Sequence, residues 1–523
     1  MSEATTPSLP ESQHDSSGFD SSGDDSSGFA TRVRSAVAWR WGTQIVAQLI
    51  AWTSTVLVVR MLEPTDYGLF AMTQVVLTVL AFLNGYSFAT SLIQAEHVDR
   101  RKIGQVFGLL LLFNGTLALI QFAGAPLMAT YYREPLVADM LRIQAIIFLT
   151  VPFTALPSSL LAKRLEFKSQ GKISMVAAIL SAAVALALAW SGYGVWALVY
   201  APISGFVFRA IALTIAARSL VPPVFDFRGA GVLVRFGGAL TICQLFWVIQ
   251  SQSDIFIAGR VFETHDLGLY AEALFLTLIV TGRFLPPINE VAFPAYAELH
   301  RAGKPLAPYF LKTLRTVLLV TAPIYFGLAL TAEPAVLALF GEKWVEMVPF
   351  VAGLALAMPA MALQIVCSPA TNAMGLPRVY LLSNGAGALI FPIAFLVAVT
   401  GGPIGLVHAW WVAAPLLLVL TLALTLPVVE LRAAVLLREL APVMLANGLM
   451  VLAVWLVELV LPPLAPVAEL AALGVAGAAT YIIALQLLQP HLIGETWAML
   501  RQRDASPAVP GDRTTSRADP SAA

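Results

Sequence analysis

Charge is scarce in this chain. Asp, Glu, Lys and Arg make up 12% of its 523 residues, where a soluble domain is nearer about a quarter. The two signs balance, 31 against 31, so no global field points to nucleic acid. Cysteine is almost absent. Cys243 and Cys367 both sit in apolar runs, which excludes a disulfide framework and any cysteine metal spacing. The 6 histidines are scattered without an H-E-x-x-H pair, so no metal site is expected. A membrane glycosyltransferase or polymerase should show catalytic carboxylates or a large polar domain. The chain has no paired-Asp motif, and its longest internal polar stretches run to about a dozen residues. The reading is therefore of a protein that is not an enzyme. The N-terminus lacks a basic segment followed by an apolar one, so it is not a signal peptide. Residues 1–31 repeat a Ser-Ser-Gly unit, as at Ser16–Gly18, Ser21–Gly23 and Ser26–Gly28. They form a tail too polar to fold.

Apolar residues fill the rest. They make up 58% of the chain, and the mean hydropathy is +0.80. A bilayer core needs about 20 apolar residues in a helix, and such runs recur with short gaps. The expected spans are 36–59, 68–92, 105–129, 140–161, 173–191 and 194–217, then 232–258, 268–292, 308–331, 347–368, 379–400 and 404–427. A last pair covers 441–461 and 467–488. Gly and Pro punctuate the short gaps at Gly192–Gly194 and Gly401–Pro403, which read as turns. The expectation is an all-α integral membrane protein with about fourteen transmembrane helices.

Alternation from a cytoplasmic N-terminus sorts the basic residues. Twenty-five of them fall on the inner side, among them Arg100–Lys102, Lys163, Arg164 and Arg301. Four fall outside: Arg60, Arg133, Arg260 and Lys343. Such asymmetry follows the positive-inside rule and places both termini in the cytoplasm.

The chain also repeats itself. Arg60-Met61-Leu62-Glu63-Pro64-Thr65-Asp66-Tyr67-Gly68-Leu69-Phe70-Ala71 returns as Arg260-Val261-Phe262-Glu263-Thr264-His265-Asp266-Leu267-Gly268-Leu269-Tyr270-Ala271. The offset is two hundred residues, and Gln44 matches Gln244 at the same offset. Each copy follows the first helix of its half. With six helices per half, the halves share one orientation, a parallel repeat of the kind transporters use. The expected organisation is a tail over 1–31, six-helix bundles over 32–218 and 219–427, an extra helix pair over 428–489, and a cytoplasmic tail over 490–523.

At these residues the chain resembles the multidrug/oligosaccharidyl-lipid/polysaccharide exporter superfamily, and within it the Wzx-type polysaccharide flippases. Leu161–Lys168, Gly192–Val199, Gly268–Tyr270 followed by Pro294, Asn372–Gly375 and Gly401–Ala409 fit the family's loops and turns. The resemblance runs from about residue 30 to 430 and more weakly to 488. It implies a flippase for undecaprenyl-diphosphate-linked oligosaccharides in the bacterial inner membrane. That flippase would serve exopolysaccharide or lipopolysaccharide synthesis beside a polymerase and glycosyltransferases. Drug antiporters share the superfamily, so a cation-coupled multidrug exporter is the alternative.

A diphosphate needs cationic donors within the membrane, and arginine suits it through its planar fork. Arg283, well inside the eighth span, is the first candidate, with a structural pair to Asp254 or Glu290 as the plain alternative. Arg40, near the inner end of the first span, can receive diphosphate or simply snorkel to the interface. Asp254 can hold a coupling ion, proton or sodium, or can pair with Arg260; pairing is the simpler reading. Glu290 reads as a partner for Arg283. Arg142, Arg209 and Arg235 lie near interfaces, where anchoring is the plainer role. Gln44, Gln48, Gln74, Asn84, Gln144, Gln244, Gln250 and Gln252 can meet sugar hydroxyls or bond helix to helix. Trp410 and Trp411 read as interfacial belt residues. No cofactor is expected, and the coupling ion stays open.

Overall fold

The computed structural model describes residues 46–86, 99–164, 166–225 and 231–490, together with Gly42, Phe88, Ala89 and Leu92, apart from Ser87; over 231–244 it describes the backbone alone. Arg40 and Gln44 therefore lie outside the described residues, as do the side chains of Arg235 and Gln244.

Every element among the described residues is helical. The chain runs through α1 (Val46–Met61), α2 (Pro64–Ala81), α3 (Arg100–Tyr132), α4 (Leu136–Gln144), α5 (Ile146–Thr150) and α6 (Pro152–Lys163). There follow α7 (Phe167–Trp190), α8 (Val195–Ala217), α9 (Gly231–Val261), α10 (Thr264–Arg301), α11 (Ala307–Leu330) and α12 (Ala332–Leu339). A 3-10 turn, Glu342–Met347, leads into α13 (Val348–Ile365) and α14 (Ser368–Ala373). The chain ends in α15 (Pro377–Ala398), α16 (Gly402–Thr425), α17 (Ala433–Val460) and α18 (Pro466–Leu488). Among the described residues, 10 stretches are long and apolar enough to cross a membrane. One of them, Pro377–Thr425, holds both α15 and α16.

The gaps expected at Gly192–Gly194 and Gly401–Pro403 are turns. Gly192 and Gly194 take φ of 76° and 54°, and Gly402 takes 73°, angles that a side chain resists. Proline opens α2 at its first position, where its missing amide costs nothing. Asp66 accepts a hydrogen bond from the Glu63 amide at 3.1 Å, half of a capping box. Two regions differ from the expected spans. The run over 140–161 is broken into α4, α5 and α6, with Pro152 starting the last. The stretch before 347, expected as a loop, holds α12 and the 3-10 turn.

The residues group into two compact units. Of the described residues, those within Met1–Met61, Leu80–Pro126 and Ala138–Gly237 form the first, and those within Leu62–Val79, Leu127–Val137 and Gly238–Ala523 form the second. The grouping does not follow the sequence repeat, because most of α2 and the end of α3 belong with the second unit. Within the first unit α7 lies on α8, where Gly205 approaches Ser181 and the Ser181 hydroxyl donates to the Ala201 carbonyl at 2.9 Å. Within the second, Phe310, Leu314 and Val317 of α11 form a core with Ala362, Val366 and Val443. Gly477 of α18 lets Val454 of α17 pack closely. Lipid tails are as apolar as leucine, so such small-residue fits, not hydrophobic expulsion, hold membrane helices together.

Candidate functional site

The two copies of the repeat meet. A β-carbon on Gly68 would collide with the Thr264 carbonyl, and one on Gly268 would collide with the Pro64 carbonyl. Residue 68 thus faces the start of α10, and residue 268 faces the start of α2. This reciprocity is that of a twofold contact. It brings the first turns of α2 and α10 together backbone to backbone at one end, the repeat-turn end. The 3-10 turn covers the crossing. Trp344 is fully buried and packs edge-on against Tyr67, with ring centroids 5.3 Å apart. On either side of it, Lys343 pairs with Glu63 at 2.6 Å and His265 meets Glu346 at 3.1 Å.

Beneath the crossing lies a buried polar chain. Trp410 Nε1 donates to the Tyr270 hydroxyl at 2.9 Å, and that hydroxyl donates to Asp254 Oδ2 at 3.0 Å. The Ile255 amide donates to Asp254 Oδ1 at 2.8 Å. All three side chains are 4% exposed or less. The direction is fixed by chemistry, since an indole N–H can only donate. The expected Asp254–Arg260 pair does not form. Six residues along a helix turn about 240°, which puts the two on different faces. Arg260 instead donates to the Tyr131 carbonyl and lies 5.2 Å from that ring. Trp410 is likewise no belt residue; it is buried between Phe391 and Tyr270.

α10 carries the charged face. At about 100° per residue, Glu272, Arg283 and Glu290 fall within about 20° of one another, along roughly 27 Å of helix. Arg283 and Glu290 are exposed, and Glu272 is half-buried beside Tyr67. None of the three makes an ion pair among the described residues. Arg283 therefore pairs with neither Asp254 nor Glu290; the latter stands two turns, about 10 Å, away along the axis. Pro286, Pro287 and Pro294 lie inside this helix. Each lacks the amide that would bond four residues back. The carbonyls of Gly282, Arg283 and Glu290 are thereby left without those donors. A guanidinium and backbone carbonyls that lack their usual helical donors share this stretch of α10, an arrangement that can take an anion and hydroxyl groups together.

The other candidates are dispersed. Arg142 is exposed, 3.2 Å from Asp139 and over the Phe122 ring at 5.9 Å, as an anchor would be. Arg209 on α8 is half-buried, and its Nε finds no acceptor among the described residues. Gln48 and Gln74 are half-buried. Asn84 accepts from the Tyr86 amide at 3.0 Å and, through its carbonyl, from Asn114 at 2.9 Å. Gln144 and Gln250 are buried, and Gln250 packs on Gly387. The sequence reading missed Tyr270 as a polar group and Glu272 altogether. The signal for Glu272 was an acid inside an apolar run; for Tyr270 it was a hydroxyl where the first copy has Phe70.

Comparison with known proteins gives a consistent set. A family model described as "Polysaccharide biosynthesis protein" matches residues 57–349, more than half of the chain. The succinoglycan biosynthesis transport protein ExoT of Rhizobium meliloti (strain 1021) is 27% identical over 344 residues, 65% of this chain and 68% of that protein. The teichuronic acid biosynthesis protein TuaB of Bacillus subtilis (strain 168) is 26% identical, over 51% of this chain and 56% of its own. The lipopolysaccharide biosynthesis protein WzxC of Escherichia coli (strain K12) is 22% identical, over 55% and 59%. Among solved structures, the lipid II flippase MurJ in an inward closed conformation superposes with a TM-score of 0.72 at 13% identity, covering 87% of this chain and 99% of that one. An inward-facing multidrug resistance MATE family transporter of the MOP superfamily follows at 0.55 and 12%, covering 74% and 94%. At these identities the structural likeness is one of fold.

Proposed function

The chain belongs to the polysaccharide biosynthesis protein family, and from that premise we propose that it is a flippase moving undecaprenyl-diphosphate-linked oligosaccharide repeat units across the bacterial inner membrane. The product leaflet feeds exopolysaccharide or lipopolysaccharide assembly, alongside glycosyltransferases and a polymerase. Both termini lie in the cytoplasm, and the repeat-turn end faces outward. Translocation runs by alternating access.

The observation that carries this reading is Arg283. An arginine at the centre of a membrane helix costs about 3 kcal/mol on insertion scales, and here no acid offsets it among the described residues. A diphosphate supplies the missing counter-charge through bidentate hydrogen bonds. The carbonyls freed by Pro286, Pro287 and Pro294 stand beside it for sugar hydroxyls. Arg40, at the inner end of the first span, receives the diphosphate from the cytoplasmic leaflet. Asp254 is the group proposed to hold the coupling ion, and Tyr270 and Trp410 position it. Arg235, Gln44 and Gln244 remain proposed contacts along the path.

The test replaces Arg283 in the chromosomal gene and compares polymer export with that of the wild type and a gene deletion. Arg283→Ala is expected to reach the membrane at normal level and to lower export at least tenfold, with lipid-linked repeats accumulating inside. Arg283→Lys should retain part of the activity, because it keeps the charge but loses the fork. Normal export by the alanine variant would sink the assignment. Unchanged polymer in a gene deletion, together with altered drug tolerance, would instead favour a cation-coupled multidrug exporter.

A further inference from the structure

A crevice of about 640 Å³ opens among α11, α13, α16 and α17, all within the second unit. Phe326, Pro349, Gly353, Val407, Trp411 and Gly448 line it. Its size is that of ordinary ligand sites, about 300–1,000 Å³, but its chemistry is unlike theirs. No charged side chain lines it. Of the two polar side chains in its walls, Trp411 is spent on the protein itself, and Asn447 keeps only its Oδ1 without a partner among the described residues. Trp411 Nε1 donates to the Gly353 carbonyl at 2.7 Å, and Asn447 Nδ2 donates to the Val443 carbonyl at 2.8 Å. A buried water needs two to four polar partners, and the side chains of these walls offer one, Asn447 Oδ1.

Neighbouring side chains do not fill the space either. A β-carbon built on Gly448 meets nothing within 4 Å, and Gly448, Met444 and Trp411 are all exposed toward it or its mouth. The helices around it belong to stretches apolar enough to cross a membrane, so the mouth opens on hydrocarbon. Pro349 and Ile404 lie in the first turns of α13 and α16, and α13 follows directly on the 3-10 turn that covers the crossing. The crevice therefore lies toward the repeat-turn end.

We propose that this crevice is a binding site for an acyl chain of a bilayer phospholipid, which enters from the leaflet at the repeat-turn end and fills the space between α17 and the three helices facing it. The walls recognise hydrocarbon and offer nothing to a diphosphate, which separates this site from the charged face of α10. The most abundant hydrocarbon at that depth is the bilayer's own. The inference does not depend on the flippase reading.

The test uses the full chain in vesicles of phosphatidylcholine brominated on its acyl chain, since bromine quenches indole fluorescence on contact. The Trp411 contribution is the difference between the wild type and Trp411→Phe. It is expected to be strongly quenched. Gly448→Leu, which fills the crevice, should relieve at least half of that quenching. Gly448→Ala gains the same helix propensity without filling the space, and should leave the quenching unchanged. In detergent, added phosphatidylcholine should raise the melting temperature of the wild type and Gly448→Ala by a few degrees, and not that of Gly448→Leu. If Gly448→Leu fails to reach the membrane, Val451→Phe fills the crevice from the next turn. Equal Trp411 quenching in wild type and filled variant would overturn the proposal. Protection by undecaprenyl phosphate but not by phosphatidylcholine would overturn it too, and would give the crevice to the substrate tail.

Discussion

The two copies of the repeat share a turn and differ in what lies around it. Where the first copy has Ser54, Phe70, Met72 and Leu83, the second has Asp254, Tyr270, Glu272 and Arg283. Of the shared residues, Gly68 and Gly268 make the crossing. The differing residues carry the buried polar chain and the charged face. The repeat supplies the frame twice, and at these four positions only the second copy has ionisable side chains. Helix length differs in the same sense: α2 ends at Ala81, while α10 continues to Arg301. That extra length is what gives Arg283 and Glu290 a continuous helix to share.

This contrast can be tested by making one copy like the other. The largest effect is expected where the copies are the same. Gly68→Ala and Gly268→Ala each press a β-carbon into a backbone carbonyl that cannot move aside, and each should destabilise by about 3 kcal/mol or prevent insertion. Melting temperature and membrane yield read this out, and a large effect at one site with none at the other would break the reciprocity. Next is Tyr270→Phe, which installs the first copy's residue. It strips Asp254 of its hydroxyl donor and Trp410 of its acceptor, at an expected cost of about 1–3 kcal/mol. The double variant Asp254→Ser/Tyr270→Phe, which copies Ser54 and Phe70, should regain much of that stability in a thermal melt while export stays impaired. A double variant no more stable than Tyr270→Phe alone would argue against the polar chain. Glu272→Met removes an unpaired carboxylate from a half-buried position, and should stabilise by on the order of 1 kcal/mol. A loss of stability would mean that Glu272 is held by a partner. The smallest effect belongs to the exposed pair. Lys343→Glu should cost less than about 1 kcal/mol, and Glu63→Lys in the same chain should restore it. Failure of the reversal to restore it would remove the pair from the account.

Much of this architecture was legible in the sequence because lipid imposes a simple rule, about twenty apolar residues per crossing. The turns at Gly192 and Gly402 were visible for an equally local reason. The repeat was readable as an offset, but not as a contact. Nothing in one dimension says that Gly68 and Gly268 touch. The expectation for Asp254 failed on helix geometry that the spacing already contained, since residues six apart do not share a face. Trp410 was misread because an indole near a span's start looks interfacial until its N–H finds a buried hydroxyl. Residues 331–347 looked like a loop because short helices lack the length that makes a span stand out. Arg283 was singled out from its type and depth alone. Its freed backbone carbonyls needed the helix register of Pro286, Pro287 and Pro294 to be seen.

The short 3-10 turn has one more implication. Its side chains repeat every three residues, so Lys343 and Glu346 project from the same side and reach Glu63 and His265, one in each copy of the duplicated turn. An exposed segment of this sort is ordinarily where insertions and deletions accumulate. Here a single added residue would swing one of the two contacts about a third of a turn away and push Trp344 out of register. The segment can change its chemistry far more easily than its length.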